Sequence, residues 1–498
     1  MSAPTVSLNA PNGRKIELPT GLFINNEFVK STGGTISSIG PSDEAVIASV
    51  DSASADDVDH AVRAARKALS SPAWSGVSGS ERGYMMYKFA ELIDQYKEDL
   101  ATLETWDNGK PYSVSLNDDL GEVVSVLKYY AGWADKLHGQ TIPTTPQKFA
   151  YTIKQPVGVC GQIIPWNFPL SMASWKLGPA LACGNTVVMK PAEQTPLSIL
   201  YLASLAAQCF PPVVINVVNG LGRVAGSALV AHPGVDKIAF TGSTPTARLI
   251  MKEAAGTLKN ITLETGGKSP LVVFKDADLE QAAKWGHMGI MYNQGQVCTS
   301  TSRILVQKDI YQEYVKKFLE VVAENKVGEP WADDTFQGPQ VTQEHYNKIL
   351  EYIETGKKEG KLETGGKPCK NVTGGKGFYI EPTVFTDVKK HHRIFQEEVF
   401  GPFVSITQFD TEEEAIDLAN DTAYGLGAAL FSRDIERCHR VAARLDSGMV
   451  WINSSGDSDI RVPFGGIKQS GIGRELGEAG LAAYSQTKAV HVNMGTVL

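Results

Sequence analysis

The 498-residue chain is 42% hydrophobic and 20% charged, with a formal net charge of -8 at pH 7. A chain of that length exceeds one ordinary domain and predicts two or three, each burying a sizeable core. The acidic balance excludes a general binder of nucleic-acid phosphates, and no apolar run reaches membrane-spanning length, so small-molecule chemistry is expected, with neither nucleic acid nor membrane as a partner.

Residues 1–20 carry no apolar leader core and no arginine-rich amphipathic pattern, which sets a cytoplasmic location as the expectation. The first ordered elements read as a hairpin, residues 22–24 against 28–29 across Asn25-Asn26. Ser54 with Asp57 three residues on has the form of a capping box, and Val58, Ala61, Ala65 and Leu69 recur behind it at helical spacing. A second helix is predicted after Ser80, turning Met85, Phe89, Leu92, Tyr96 and Leu103 inward and stopping near Gly109 and Pro111. Its methionine and aromatic stripe reads as core packing. From residue 141 to 153 the pattern becomes extended and includes Pro143 and Pro146, which suits an edge strand or protruding arm. Residues 487–492 are similarly strand-like. Two such orphan strands could extend each other or a neighbouring subunit's sheet.

Between residues 157 and 274 strands and helices alternate, the signature of a parallel sheet covered on both faces. Strands are predicted at 157–164, 186–190, 213–218 and 237–240, with a helix at 171–183. Thr195 as N-cap and Pro196 at the first helical position open another helix that runs through Ala207. Ligands of such sheets lie at the carboxyl ends of the strands, so Asn167, Lys190, Glu193, Gly242 and Ser243 fall on the expected rim. Phe240-Thr241-Gly242-Ser243-Thr244-Pro245 reads as strand, glycine turn and helix start, whose free amides would face a phosphate. The stretch containing Gly220, Gly222 and Gly226 approximates a dinucleotide fingerprint with its last interval one residue too long, and reads as a turn before a helix that either touches a cofactor or does not. A helix from Asp278 leads to a cysteine-bearing stretch, after which alternation resumes with a strand at 303–307, a helix at 309–325 and strands at 382–385 and 403–409. This predicts a second αβ domain. Residues 356–377, rich in glycine and lysine, read as solvated loop.

The six cysteines, Cys160, Cys183, Cys209, Cys298, Cys369 and Cys438, show no paired spacing, so neither a disulfide framework nor a metal site is expected. Cys298 stands apart. It lies in Asn293-Gln294-Gly295-Gln296-Val297-Cys298-Thr299-Ser300-Thr301, among glycine, hydroxyls and amides that offer little apolar bulk to pack against, and it reads as a nucleophile. The nearest histidine in sequence is His287. Activation must then come from backbone dipoles, a cofactor's positive charge or a carboxylate brought from elsewhere in the fold.

Seven segments together resemble the NAD(P)-dependent aldehyde dehydrogenases, in order and over nearly the whole chain: Pro165-Trp166-Asn167-Phe168-Pro169, Lys190-Pro191-Ala192-Glu193, Phe240-Thr241-Gly242-Ser243-Thr244, Leu263-Glu264-Thr265-Gly266-Gly267-Lys268, Gly295-Gln296-Val297-Cys298, Glu398-Val399-Phe400-Gly401-Pro402 and Pro463-Phe464-Gly465-Gly466-Ile467-Lys468. The resemblance implies an α/β fold with a Rossmann-like cofactor domain (1–136 and 156–266), a second α/β catalytic domain (267–468) and a small β-strand oligomerisation arm and tail (137–155 and 478–498). It implies Cys298 as nucleophile, Asn167 with the Cys298 N–H as oxyanion site, Glu264 as general base, and Lys176 and Glu475 as a proton relay. NAD would be held by Ile163, Pro165, Trp166, Lys190, Glu193, Gly222, Gly242, Ser243, Glu398 and Phe400. Glu193 would accept from ribose hydroxyls and repel a 2′-phosphate, which favours NAD over NADP. Phe168, Met172, Trp175 and Tyr292 would line an aldehyde tunnel.

Where many relatives place aromatics, residues 454–460 read Ser-Ser-Gly-Asp-Ser-Asp-Ile, so the tunnel's other wall is expected to be open or polar. The reading is an NAD-dependent dehydrogenase of small or medium aliphatic aldehydes, self-associating as a dimer or tetramer. The alternatives are a specialised enzyme for a polar aldehyde of the betaine or semialdehyde type, and a non-catalytic structural protein on the same fold.

Overall fold

The computed structural model describes residues 4–498. Two large sheets organise it. The first has eight strands, in the order Gly471–Ile472, Asn260–Glu264, Lys237–Thr241, Val159–Ile163, Thr186–Lys190, Ile215–Val217, Leu22–Ile24 and Glu27–Val29. Its five central strands are parallel, and the chain starts at Val159–Ile163, moves out through two strands on one side, then crosses to fill the other. This is the Rossmann-like order, and its switch point lies between Val159–Ile163 and Lys237–Thr241. The second sheet has seven strands, Lys361–Thr364, Thr383–Thr386, Phe403–Phe409, Arg303–Gln307, Pro270–Val273, Gly427–Phe431 and Met449–Ile452, all parallel except the first pair. Central strands of both sheets are buried on both faces, as continuous runs such as Thr186-Val187-Val188-Met189-Lys190 require. Each fully buried Val, Leu, Ile or Phe contributes roughly 1.5–3 kcal/mol.

The two orphan strands pair with each other. Ser485–Asn493 runs antiparallel to Lys148–Pro156, which also pairs with Thr141–Thr145 in a separate three-stranded sheet. Phe149 faces Val492 across that sheet, and both stay about two-fifths exposed, as does Ile153.

Several expectations shift. A hairpin of Thr5–Asn9 and Lys15–Pro19 precedes the one at Leu22, burying Leu8, Ile16 and Leu18 against Val50 and Leu103. The second helix starts at Ser78, whose capping box is with Glu81, and buries Met86, Phe89 and Ile93, a register that leaves Met85 and Leu92 only half-buried. It breaks at Tyr96. A new helix, Lys97–Asn108, ends at Gly109 in the left-handed conformation, φ 89°. Thr195 does not cap the next helix: the free amide of Leu197 donates instead to the Asp107 carboxylate at 3.1 Å. The region expected to be solvated loop contains the end of the helix Gln343–Glu359 and the strand Lys361–Thr364. Gly356 is there for packing, since a Cβ would lie 2.7 Å from the Phe385 ring. No helix of the described residues is long and apolar enough to cross a membrane.

Candidate active site

At the switch point the strand Val159–Ile163 releases Pro165, Trp166, Asn167 and Phe168, while the neighbouring Lys237–Thr241 releases Gly242 and Ser243. Ser243 accepts from the Thr246 N–H, and Pro245 occupies the first turn, so the helix Thr244–Ala254 opens towards the crevice as its sequence predicts. The Trp166–Asn167 loop is pinned from behind by buried Asn108, whose amide donates to the Trp166 carbonyl at 2.7 Å and the Asn167 carbonyl at 3.3 Å.

The cysteine arrives from the second sheet's side. Asn293, Gln294 and Gly295 take φ values of 47°, 59° and 71°, a tight left-handed run in which a Cβ on Gly295 would lie 2.0 Å from the Gly401 carbonyl. Amides hold this costly backbone in place. Gln294 accepts from Gly338 N–H at 3.3 Å, Gln296 from Val341 N–H at 3.1 Å, and Asn293 donates to the Asn167 carbonyl at 3.0 Å. Asn167 returns a bond to the Gln296 carbonyl at 2.9 Å. The two loops are thus clasped, and Cys298 sits half-buried on the wall of a cavity of about 1090 Å³ shared with Asn167, Glu264 and Glu475. Burial, then the charges of Glu398 and Glu264, push its thiol up to about 12, while the Cys298 and Thr299 amides pull the other way.

Glu264 ends the strand Asn260–Glu264 and is 3% exposed, and neither carboxyl oxygen meets a hydrogen-bond partner among the described residues. Burial and the Glu475 charge hold its carboxyl well above the usual range, against the opposing pull of Lys176 and Arg474. Gly465, at φ 151°, passes so close that a Cβ would lie 2.6 Å from Glu264 Oε1. Glu475 lines the cavity, and behind it fully buried Lys176 donates to Glu475 at 2.7 Å and to Thr241 at 2.6 Å.

On another side of the cavity, Glu398 accepts from Gly267 N–H at 2.9 Å, and a Cβ on Gly266 would lie 2.3 Å from its carboxylate. Phe400 adopts φ 64°, strained for a bulky residue, and its ring meets Trp166 edge-on at 5.4 Å. Gly242, Ser243, Pro165 and Trp166 line the same cavity. Ile163, Lys190, Glu193 and Gly222 do not; they form a second cluster on the sheet's rim. Lys190, itself buried, pairs with Glu193 at 3.2 Å, and Glu193 accepts from Gly222 N–H at 3.4 Å.

The third wall carries Phe168 stacked on Tyr292 at 6.4 Å, Trp175 edge-on to Phe464 at 4.8 Å, and Met172. Ser455, Gly456, Ser458 and Asp459 make the opposite side polar. Sequence reasoning missed Asn108, His345, which packs between Trp166 and Phe400, and the acidic wall Asp118, Asp119 and Glu122. The acidic spacing was visible; which cavity it faced was not.

A thiol, an amide donor and an unpartnered carboxyl on one cavity suit capture of a carbonyl carbon followed by hydrolysis. The sequence model described as "Aldehyde dehydrogenase family" matches residues 28–490. The chain is 51% identical to an aldehyde dehydrogenase of Alternaria alternata, over 99% of each, and 47% identical to the "Aldehyde dehydrogenase [NAD(P)+] 1" of Saccharomyces cerevisiae, over 96% of each. The NAD+ complex of an aldehyde dehydrogenase from Bacillus cereus superposes with a TM-score of 0.94 at 47% identity, covering 96% of this chain and 97% of that one. With the family's sequence pattern and backbone both running the length of the chain, and the clasped thiol at their meeting point, the protein belongs to the aldehyde dehydrogenase family.

Proposed function

We propose that the protein oxidises a small or medium aliphatic aldehyde to the carboxylic acid with NAD, through a covalent adduct on Cys298. The observation that carries this is the shared cavity, in which the thiol, the Asn167 amide and the free oxygens of Glu264 converge. The Cys298 thiol gives its proton to water, the Cys298 and Thr299 amides favouring the thiolate, and Sγ attacks the carbonyl carbon; the new oxyanion accepts from the second Asn167 amide hydrogen and the Cys298 backbone N–H. NAD, when bound, supplies the acceptor for the hydride that leaves the adduct carbon. Glu264 then takes a proton from water, which attacks the resulting thioester; collapse releases the acid and restores the sulfur. Glu475 and Lys176 lead that proton away through their 2.7 Å contact.

The chain fits such a cofactor. The helix Thr244–Ala254 presents free amides for a pyrophosphate, and Glu193 offers a carboxylate to ribose hydroxyls but repels a 2′-phosphate, so NAD is preferred over NADP. Glu398 and Phe400 serve the nicotinamide end. Cys298→Ala should abolish NADH formation while Cys209→Ala, half-buried away from the cavity, leaves it intact; turnover in the Cys298 variant would overturn the assignment.

We assign residues 1–136 and 156–266 to the cofactor domain and 267–468 to the catalytic domain. The apolar face of the arm, Phe149, Ile153 and Val492, supports self-association to a dimer or tetramer. All six cysteines are unpaired among the described residues, which fits a reducing compartment such as the cytoplasm. A second reading, a polar aldehyde, is favoured by one observation, the wall of Ser455, Ser458 and Asp459.

A further inference from the structure

We propose that Asn108 is a positioning residue for the reaction, the group that sets how the Asn167 amide faces a carbonyl captured by Cys298; this rests on the assignment of Asn167 as oxyanion donor. Asn108 closes the helix Lys97–Asn108, is fully buried and does not line the cavity, so it touches no reacting atom. Both hydrogens of its amide go to the loop that carries the donor, one to the Trp166 carbonyl at 2.7 Å and one to the Asn167 carbonyl at 3.3 Å. Its oxygen accepts from the Lys110 N–H at 3.1 Å, within its own turn.

The loop has no other means of fixing its direction. Residues 165–168 belong to neither strand nor helix, and Phe168 takes φ -139° and ψ 68°, so no ladder of backbone bonds orients Asn167. The Trp166 carbonyl has Asn108 as its one donor among the described residues, and the Asn167 carbonyl shares Asn108 with Asn293. Asn167 gives one side-chain hydrogen to the Gln296 carbonyl at 2.9 Å and keeps the other for an oxyanion. Four residues before Asn108, on the same helix face, buried Glu104 accepts from the Leu170 N–H at 3.2 Å. One helix face therefore holds the stretch from 166 to 170 at both ends.

The same turn abuts the segment that braces the nucleophile. A Cβ on Gly109 would lie 2.9 Å from Pro339, and one on Gly338 would lie 2.0 Å from the Gly109 carbonyl. Gly338 N–H in turn donates to the Gln294 side chain at 3.3 Å, and the Gln340 amide to the Gln294 carbonyl at 3.4 Å. Oxyanion donor and thiol are thus referred to one helix end by different atoms: the donor's loop by the Asn108 side chain, the thiol's loop by the Gly109 backbone. Truncating Asn108 frees the first and leaves the second in place. A displacement of about 1 Å at a reacting group lowers the rate by on the order of 10²-fold.

The test uses Asn108→Ala and Asn108→Ser, each alone and combined with Asn167→Ala. The serine hydroxyl can still accept from the Lys110 N–H and keep the helix's own turn, but places no donor where the Asn108 amide stood. Single-turnover NADH formation from butanal at saturating NAD should fall about tenfold or more in both single variants. Alkylation of Cys298 by iodoacetamide, which forms no oxyanion, should keep its wild-type rate, read by peptide mass. In the Asn167→Ala background the Asn108 substitutions should lower turnover by less than about twofold further, because their effect passes through the missing amide. Wild-type turnover in the Asn108 variants, restoration by serine, an equal loss in both backgrounds, alkylation slowed in parallel, or failure of both variants to fold overturns this inference and leaves the proposed reaction standing. Wild-type turnover in Asn167→Ala alone overturns the oxyanion assignment on which it rests.

Discussion

Glu264→Gln is the substitution that most directly tests the chemistry. The side chain is 3% exposed, and an isosteric amide fills the same volume. What it removes is the proposed base. General-base assistance is worth roughly 10²- to 10⁴-fold, so steady-state NADH formation should drop by that factor while a burst of one NADH per active site survives. Intact mass should show the acyl group retained on Cys298. Stability should not fall. The folded carboxyl is held above its unfolded value, so the native state binds more protons and the wild type loses stability as pH rises from the ordinary carboxylate range towards the raised value. The amide does not titrate, and the variant's Tm at pH 8 should equal or exceed the wild type's. A variant turning over at the wild-type rate would refute the assignment of the base, and one that melts early would refute the account of the cavity.

Three other outcomes follow from the geometry. Lys110→Met leaves Asp119 and Glu104 buried without their shared cation, at 2.5 and 3.5 Å, and should destabilise by about 3–5 kcal/mol in urea unfolding. Gly465→Ala places a Cβ 2.6 Å from Glu264 Oε1 at a left-handed φ, so activity should fall far more than the far-ultraviolet circular dichroism changes. His287 is buried and held down to about 4, so the unfolded chain binds a proton that the native one refuses. Stability is whole above about pH 6.5 and should decline by roughly 3 kcal/mol as pH falls towards 4. His287→Leu should flatten that decline in a Tm series against pH.

Much of the first sheet was legible because its strands are short apolar runs bounded by glycine and proline, and because Ser243 and Pro245 mark a helix start unambiguously. The helix after Ser54 was readable from its capping box. What escaped was whatever depends on distant partners. Thr195 looked like a cap, yet Asp107 does that work from about ninety residues away. The inward face of the helix from Gly79 was misread by one position because Met85 and Met86 are both apolar, and only the packing decides between them. At the site, Cys298 announced itself by its surroundings, and the family pattern supplied Glu264 and Asn167. The acidic wall had no such announcement: three carboxylates within five residues look like a solvated turn, and although Asp118 stays exposed all three border the cavity that holds Cys298.

The hydrogen bonds exchanged between Asn167 and the Gln296 and Asn293 residues have a mechanical consequence. Asn167 follows a strand of the first sheet and Cys298 precedes a strand of the second, and the clasp sets the spacing of the two loops directly. Any separation of the two loops must undo this grip, and with it the spacing of thiol and amide.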